Sequence, residues 1–485
     1  MVPFKRLASA LPLIAVLGAC ALQAPYSPAP LGAQAAWANQ PPYAQKLLPA
    51  SEQWWAALND PVLDDMIETA FTSSPSLALA AAHLDEARAT LGVQTSLGRP
   101  HVTLNGSAGR ARVQGSSGSA NSTVQVGNSV IGGPSLAWEI DAFGRLRDTR
   151  AAASRRLDAR TADAAAARLL LSSQVAGTLM SLRACRLILD LKREDIASRQ
   201  RDLALTRRRV ELGFAAPVDA SRSLSGVSDA QVGLVSQDES CVKDLDALVG
   251  LTGLSASEIE TRLQSPASPP KLTNYEGSTF PKPPAATLTL PALVLARHPG
   301  VIAAEREVAA TYAEIGVARA NRLPIFNLTA ALSGNWISAS GTTIAFLGWS
   351  LIPTLSAPLF DGGAGAAQVD AATARYLAAL ASLNTTLRNT TQDIEDALTE
   401  QAHASERLAA AQRSRDAYQA TFDATESQWR AGAIDVFQLE DTRRQREAAD
   451  ETAVDAARAS VQAWVDIVRA SGNAATFSTT LTEPD

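Results

Sequence analysis

The spacing of apolar positions changes along the chain, and the changes come in the same order twice. Val102, Leu104, Gly106 and Ala108 alternate with Thr103, Asn105 and Ser107. A Gly/Ser/Asn-rich loop at 115–122 follows, then a returning run of Val124, Val126, Leu136, Trp138 and Ile140. Period-two alternation puts every apolar side chain on one face of a strand, so this stretch predicts a β-hairpin with a long polar tip. Phe326, Leu328, Ala330 and Leu332 alternate in the same way with Asn327, Thr329 and Ala331, and a loop at 338–343 leads to a return strand from Ile344 to about Leu359. Between the hairpins the period lengthens. Leu157, Thr161, Ala164, Leu171, Val175, Leu179 and Leu182 recur at spacings of three, four and seven, which predicts coiled-coil-like helix pairing. From Phe143 to Leu212 there is no proline and only Gly144 and Gly177 interrupt. At 1.5 Å per residue that is one helix on the order of 100 Å long. A shorter return runs from Val218 to Gly250 and continues after a break. The second half repeats the pair over Gly365–Arg430 and Val436–Arg469. The faces opposite the stripe carry Asp, Arg, Gln and Ser, as if water bathed both sides.

The recurrence extends to punctuation. Pro75 and Pro299 are 224 residues apart, as are Pro100 and Pro324, and LGVQTSLGRP (91–100) aligns with IGVARANRLP (315–324) without a gap. EIDAFGRLRDTRAA (139–152) parallels LFDGGAGAAQVDAA (359–372), and the turn ELGFAAPVDA (211–220) parallels RAGAIDVFQL (430–439). An internal duplication of this size dictates architecture. Asp60 is placed to cap a helix whose first residue is Pro61. The expected boundaries are a signal peptide at 1–19, a tether at 20–60 and a helix at 61–99. A hairpin at 100–140 and a long helical hairpin at 141–250 complete the first half. A Pro-rich linker at 251–289 leads to a helix at 290–323, a hairpin at 324–360, a helical hairpin at 361–470 and a tail at 471–485. The linker and tail are expected to pack as a small mixed belt around the helices.

Strands of about 10 residues, apolar on one face, have the length and pattern of tilted strands crossing hydrocarbon. Trp138, Trp336 and Trp349 suit an aromatic girdle. The alternative is a soluble sheet packed on a helix, but the helices have little apolar surface to spare. Four strands cannot close a membrane barrel, and open edges in lipid leave backbone groups unsatisfied. Copies must therefore share one barrel, with a strand total that is a multiple of four and at least eight.

Composition narrows the rest. The 485 residues carry a formal net charge of −6, and the basic residues are scattered along helices, which argues against nucleic-acid binding. After residue 22 there is no stretch of 18 consecutive apolar residues, so no membrane helix is expected. Lys5 and Arg6 precede a short apolar stretch, Leu7 to Leu17, that is too short to span a bilayer. The stretch ends in LGAC, which resembles a lipoprotein signal in which Cys20 is acylated and becomes the first residue. An ordinary secretory signal with an incidental Cys is the alternative. Export places the chain in an oxidising compartment. Cys185 and Cys241 each lie 28 residues from Gly213, so antiparallel helices would bring the two thiols level. A disulfide is expected there, against two buried free thiols on separate faces.

Lipidation signal, two hairpins, four very long helices and the duplication together resemble the TolC/OprM-type outer-membrane efflux proteins, most closely the lipidated NodT group. The likeness covers essentially the whole mature chain. It implies an α+β membrane protein that assembles as a homotrimer. A 12-stranded outer-membrane β-barrel, four strands per chain, would continue into a long α-helical periplasmic tunnel. The turns at Gly213 and Gly432 would be the periplasmic tips, where a periplasmic adaptor (membrane fusion) protein docks and the channel closes. The family's pore carboxylates map onto Asp441, with Glu440 beside it, and onto Asp219, for which a link between neighbouring helices is implied. Rings of carboxylates on a narrow axis favour cations. The chain departs from the family's lock: Trp429 and Ile434 stand where relatives have Tyr and Arg, and Asp435 is an extra tip carboxylate. A gate is expected, but not that set of bonds.

No enzyme constellation is present. His83, His101, His298 and His403 are dispersed, without metal-ligand spacing. Gly362, Gly363 and Gly365 lack the continuation of a phosphate loop and read as a bend from strand to helix. Arg207, Arg208 and Arg209 read as a solvated or intersubunit face. The expected function is a passive exit duct without cofactor or metal, bearing only the lipid on Cys20 and set in the lipid bilayer. An adaptor and an inner-membrane RND transporter would supply cargo. A type I protein-secretion channel and a non-channel envelope lipoprotein are the competing readings.

Overall fold

The computed structural model describes residues 24–28, 30, 32, 34–39, 53–114, 124–264, 280–283, 288, 291–339 and 342–472. Cys20 with its signal, the hairpin tip at 115–122 and most of the tail lie outside the described residues, as does much of the linker. In chain order the elements are a 3₁₀ turn (Trp54–Leu58), α1 (Pro61–Ser73), α2 (Pro75–Ser96), β1 (His101–Gln114), β2 (Val124–Ile140), α3 (Arg145–Glu211) and α4 (Pro217–Thr252). Then come α5 (Ala256–Leu263), α6 (Pro291–Arg297), α7 (Pro299–Ala320), β3 (Ile325–Ala339), β4 (Thr342–Ser356), α8 (Ala364–Arg430) and α9 (Val436–Ala470). The chain divides into two compact units. One holds 1–29, 82–161 and 303–384; the other holds 30–81, 162–302 and 385–485.

The first unit is built on the sheet. Its order is β1-β2-β3-β4, antiparallel throughout, so the hairpins lie side by side. The strands are 14, 17, 15 and 15 residues long, against the expected 10 or so. Backbone pairing continues past the apolar core of each strand into its polar ends. The register gives the sheet one mainly apolar face and one mainly polar face, the latter also holding Ile131, Ile337, Ile344, Phe346 and Ile352. Rows such as Leu104–Pro134 and Leu136–Ala330–Leu351 share one face, and Leu332 opposes Trp349 on it. The other face carries Thr103, Asn105, Ser107, Ser129, Ser135, Asn327, Thr329, Ser333, Asn335, Ser350 and Thr354. Hydrogen bonds lace that polar face: Asn105 Nδ2 donates to Ser135 Oγ at 2.7 Å, and Ser135 and Thr103 share a 2.9 Å bond. Among the described residues β1 and β4 each pair on one side only. Gly133 is dictated by close approach, because a Cβ there would lie 1.9 Å from the Leu332 carbonyl oxygen.

Two aspartates turn sheet into helix. Asp141 accepts from Arg147 N–H at 2.7 Å, and Asp361 accepts from Gly363 and Gly365 N–H at 2.9 and 2.7 Å. Gly362 and Gly363 take φ +64° and +93°, which only glycine adopts cheaply. Arg145 holds Glu139 with both nitrogens, at 2.9 and 2.6 Å, tying the end of β2 to the start of α3.

The second unit has the apolar core. Trp54, Trp55 and Leu58 pack with Met66, Ile67, Leu179, Met180, Leu182, Leu248, Trp464 and Val468. Asp60 caps α1 through Val62 and Leu63 N–H, each 3.2 Å, and also accepts the buried guanidinium of Arg183. The stretch read as a tether is therefore fastened. Residues 54–58 belong to the core, and the N–H groups of Ala38 and Asn39 donate to the Glu395 carboxylate at 2.8 and 3.0 Å. In the other unit Tyr312 Oη donates to the Ala24 carbonyl at 3.1 Å while its ring packs on Tyr26.

Cys185 of α3 and Cys241 of α4 are joined by a disulfide with Cα atoms 5.5 Å apart. The bridge spans 56 positions, which in chain-entropy terms restricts the unfolded chain by about 4 kcal/mol. Reduction, or Cys185→Ser with Cys241→Ser, is expected to lower the helical melting temperature by several degrees. Circular dichroism with and without reductant measures it; identical melts would show that the bridge does not stabilise the fold.

Candidate functional site

Both long helical hairpins turn on the same device. At the end of α3, Phe214 N–H donates to the Arg209 carbonyl at 2.7 Å and Gly213 N–H to Val210 at 3.0 Å. At the end of α8, Ala433 donates to Gln428 and Gly432 to Trp429, both at 2.9 Å. These are Schellman closures, which need a left-handed residue after the helix, and Gly213 and Gly432 each take φ +76°. The helices that leave the turns are capped from opposite directions. Asp435 caps α9 forward, accepting from Gln438 N–H at 3.0 Å. Asp219, three residues into α4, reaches back to Ala216 N–H at 3.2 Å, since Ala216 has no side-chain oxygen of its own.

The two turns are joined. Arg209 donates to the carbonyls of Trp429 and Arg430 at 3.2 and 3.1 Å, and its guanidinium lies 4.8 Å from the centre of the Trp429 ring. A cation on the last carbonyls of a helix is well placed against the helix dipole. Trp429 is buried with Phe422 and Leu439, and Ile434 packs on them. Arg209, read as part of a solvated face, is thus a clamp between turns. Arg208 does lie on the surface, paired with Glu211 at 3.0 Å.

Immediately beyond lies a buried ionic seam between α3 and α9. Arg443 is fully buried and binds Asp202, with Glu440 at 3.2 Å and Asp195 at 3.8 Å. Arg199 binds Asp195 and Glu440, with Glu447 at 3.4 Å. Lys192 holds Glu451 and, at 3.3 Å, Glu447; Arg446 lies 3.6 Å from Asp195 and 3.7 Å from Asp450. Gly226 on α4 leaves room for this group: a Cβ there would sit 3.1 Å from a Glu440 oxygen.

The four acidic residues singled out in the sequence are therefore not equivalent. Glu440 is locked between Arg199 and Arg443, and Asp435 and Asp219 serve as helix caps. Asp441 presents a half-exposed carboxylate with no capping role, in surface contact with Arg444 and Gln445 at 3.0 Å each. The seam was missed by sequence reading, yet its signal was there. On α3, Cys185, Ile188, Lys192, Asp195, Arg199, Asp202, Thr206 and Arg209 follow a strict three-four spacing. On α9, Val436, Glu440, Arg443, Glu447, Asp450, Val454, Val461, Trp464 and Val468 fall on one such stripe. Charges standing at packing positions of a coiled-coil pattern mark a buried ionic layer.

Burial raises the Asp450 carboxyl to about 6, with Arg446 and Arg415 opposing the shift and Glu447 and Glu451 adding to it. Burial also raises Glu440, offset in part by Arg199 and Arg443. In the sheet-bearing unit, a cleft of 780 Å³ is lined by His83, Glu86, Arg156, Arg160, Glu314 and Arg375 among others. There Arg156 bridges Glu307 at 3.3 Å and Glu314 at 2.6 Å. Among the described residues no group of three or more His, Cys, Asp or Glu side chains could hold a metal ion, and no helix is long and apolar enough to cross a membrane.

With the fold in place, the chain can be set beside known proteins. A family model described as outer membrane efflux protein matches residues 66–254 and 290–473. Nodulation protein T of Rhizobium leguminosarum bv. trifolii is 27% identical over 393 residues, covering 81% of either chain. The probable efflux pump outer membrane protein TtgC of Pseudomonas putida is 29% identical over 422 residues, covering 84% of this chain and 82% of that one. Outer membrane protein OprJ of Pseudomonas aeruginosa is 28% identical over 395 residues, 80% and 79% covered. In structure, the outer-membrane channel OprN superposes with TM-score 0.81 at 23% identity over 94% of this chain and 99% of the other. The Campylobacter jejuni CmeC outer membrane channel gives 0.79 at 21% identity, with 94% of each covered. At such identities the superpositions speak to the fold alone.

Two variants test the seam. Arg443→Met leaves Asp202 without its buried partner and takes one partner from Glu440 and Asp195, and is expected to cost about 3–5 kcal/mol. Hydrogen exchange would rise over the tip-ward halves of α3 and α9; unchanged protection would show that the layer carries no such weight. Asp450 works in the other sense. Its folded-state pKa is raised, so folding favours its protonated form; the benefit is full below about pH 4 and is lost as pH rises through about 6. Asp450→Asn is therefore expected to gain about 1–2 kcal/mol at pH 8 and nothing at pH 4. Thermal melts at the two pH values check this, and an equal effect at both would remove the assignment.

Proposed function

The chain belongs to the outer membrane efflux protein family, and from that membership we propose that it is the outer-membrane exit duct of a tripartite efflux system. It conducts small molecules passively to the exterior. An RND-type inner-membrane pump and a periplasmic adaptor supply the cargo and the work. Three copies share one barrel. Each gives four strands, so twelve close a single wall, and the duplicated helical hairpins continue it as a tunnel through the periplasm. The relatives' printed names, efflux pump outer membrane proteins among them, support the pump assignment.

The observation that carries the reading is the sheet. One face is mainly apolar on all four strands, the other is rich in hydroxyls and amides with some isoleucines among them, and among the described residues both edges are open. Lipid on one side, water on the other and a copy at each edge satisfy all three features together. Gly213 and Gly432 stand at the periplasmic tips. Leu212, Phe214, Val218 and Phe437 are all more than half exposed around these turns, a clustering of apolar groups that suits an adaptor contact. Asp441, the half-exposed carboxylate beside the locked Glu440, would form an acidic ring on the channel axis and bias it toward cations. Asp219 and Asp435 shape the tips as caps. A lipid on Cys20 would add a second hold on the membrane.

Purified protein in a planar bilayer is expected to conduct as a trimer and to favour cations. Asp441→Ala should cut the cation-to-anion permeability ratio at least two-fold without abolishing current. A monomer without current would overturn the duct, and an unchanged ratio would overturn the role of Asp441 alone.

A further inference from the structure

The sheet holds two arginines, and they sit where its apolar face stops. On β1 the lipid-side positions read Val102, Leu104, Gly106 and Ala108, and then Arg110 and Arg112 on the same face. The register makes this a boundary across the whole sheet. Arg110 pairs with Asn128, Asn128 with Ser338, and Ser338 with Thr343, one polar row through all four strands. The row just below it is Ala108, Val130, Trp336 and Ala345, apolar and carrying the one aromatic that suits an interface. From Val102 to Arg110 the strand climbs about 27 Å along its axis. At a tilt near 40° that is about 20 Å of depth, close to the ~25 Å apolar band of outer-membrane barrels. β1 starts soon after α2 ends, so the arginines mark the interface remote from the helices.

Among the described residues nothing neutralises them there. Both are exposed, and neither pairs with another described residue. Residues 101–138 and 323–360, which include both hairpin tips, contain no Asp or Glu. Glu139 is at the opposite end of β2 and already holds Arg145. If copies join β1 to β4, the neighbour adds no carboxylate, because β4 carries no charged residue.

We propose that Arg110 and Arg112 bind the phosphates of the phosphorylated glycolipid that forms the outer leaflet of the bacterial outer membrane. The inference rests on the barrel reading. Two guanidinium groups two residues apart on one face present forks that match phosphate oxygens, and the adjoining apolar rows take the acyl chains. Three copies would place three such pairs around the rim, each at a seam between copies.

The test uses full-length protein in detergent, with native mass spectrometry reading retained lipid. Wild type is expected to hold bisphosphorylated lipid A at least ten-fold more strongly than its dephosphorylated form. Arg110→Gln with Arg112→Gln should abolish that preference, and Arg110→Lys with Arg112→Lys should keep most of it. Wild type that does not discriminate, or a Gln pair that binds as wild type does, overturns the proposal. So does a Lys pair that fails like the Gln pair, or phosphatidylglycerol held as firmly as lipid A. Conductance of the same preparations separates the two readings: current without lipid preference removes this inference alone, whereas wild type without current removes the barrel and the inference with it.

Discussion

The constraint behind the whole architecture is a row of backbone groups with nowhere to go. A four-stranded antiparallel sheet leaves the outward N–H and C=O groups of β1 and β4 unpaired. In water this is tolerable, but the apolar face places the edges in hydrocarbon, where each orphan costs several kcal/mol. Over two edges of 14 and 15 residues the total would reach tens of kcal/mol, far beyond the margin of any domain. In the proposed shared barrel the partner is another edge of the same kind. Because β1 comes from the first half and β4 from the second, such closure would join the second half of one copy to the first half of the next.

Away from the sheet the chain uses two kinds of seam. Around Leu179, Trp464 and Val468 the helices are held by apolar packing, reinforced by the disulfide. Toward the turns the same stripe on α9 changes to Glu440, Arg443, Glu447 and Asp450. Burying ions yields little net stability compared with apolar residues of similar size, but removing one partner is costly. An ionic layer is therefore poor glue and a strict specifier of register. It differs from an apolar layer in another way: once water enters, each charge is solvated, so the layer can part at modest cost. If the turns are the end that opens, the seam there is one whose contacts water can replace.

Much of this was legible in the residues. The period-two runs located all four strands because one face of each had to be apolar. Asp60–Pro61 located the start of α1, and the glycines at 213 and 432 located the turns, because local chemistry there decides the backbone. What escaped depended on neighbours distant in sequence. Strand lengths were underestimated because backbone pairing, not side-chain polarity, sets where a ladder stops. Residues 54–58 fell inside the expected tether because their burial depends on Leu179 and Trp464, more than a hundred positions away. Glu440 and Asp441 look alike in sequence, and only the helix phase decides that one meets two arginines and the other meets solvent.

The two halves are near copies in element order, and their differences fall at the turns. The second turn is backed by apolar packing of Phe422, Trp429 and Leu439 and clasped from α3 by Arg209. The first turn has no comparable backing of its own; it carries Leu212 and Phe214 outward, with Phe214 81% exposed. A Schellman turn usually pairs its apolar residue with one on the preceding helix, and Phe214 stays exposed instead. Burying one phenylalanine side chain gains about 1.5–3 kcal/mol, so leaving it in water is a cost that the turn's own geometry does not require. Symmetry between the halves would predict either two clasped turns or two exposed ones. Arg209 ties the two turns to each other, while the apolar backing lies under the second turn and Leu212 and Phe214 point outward from the first. That asymmetry would suit an adaptor contact made at the first turn.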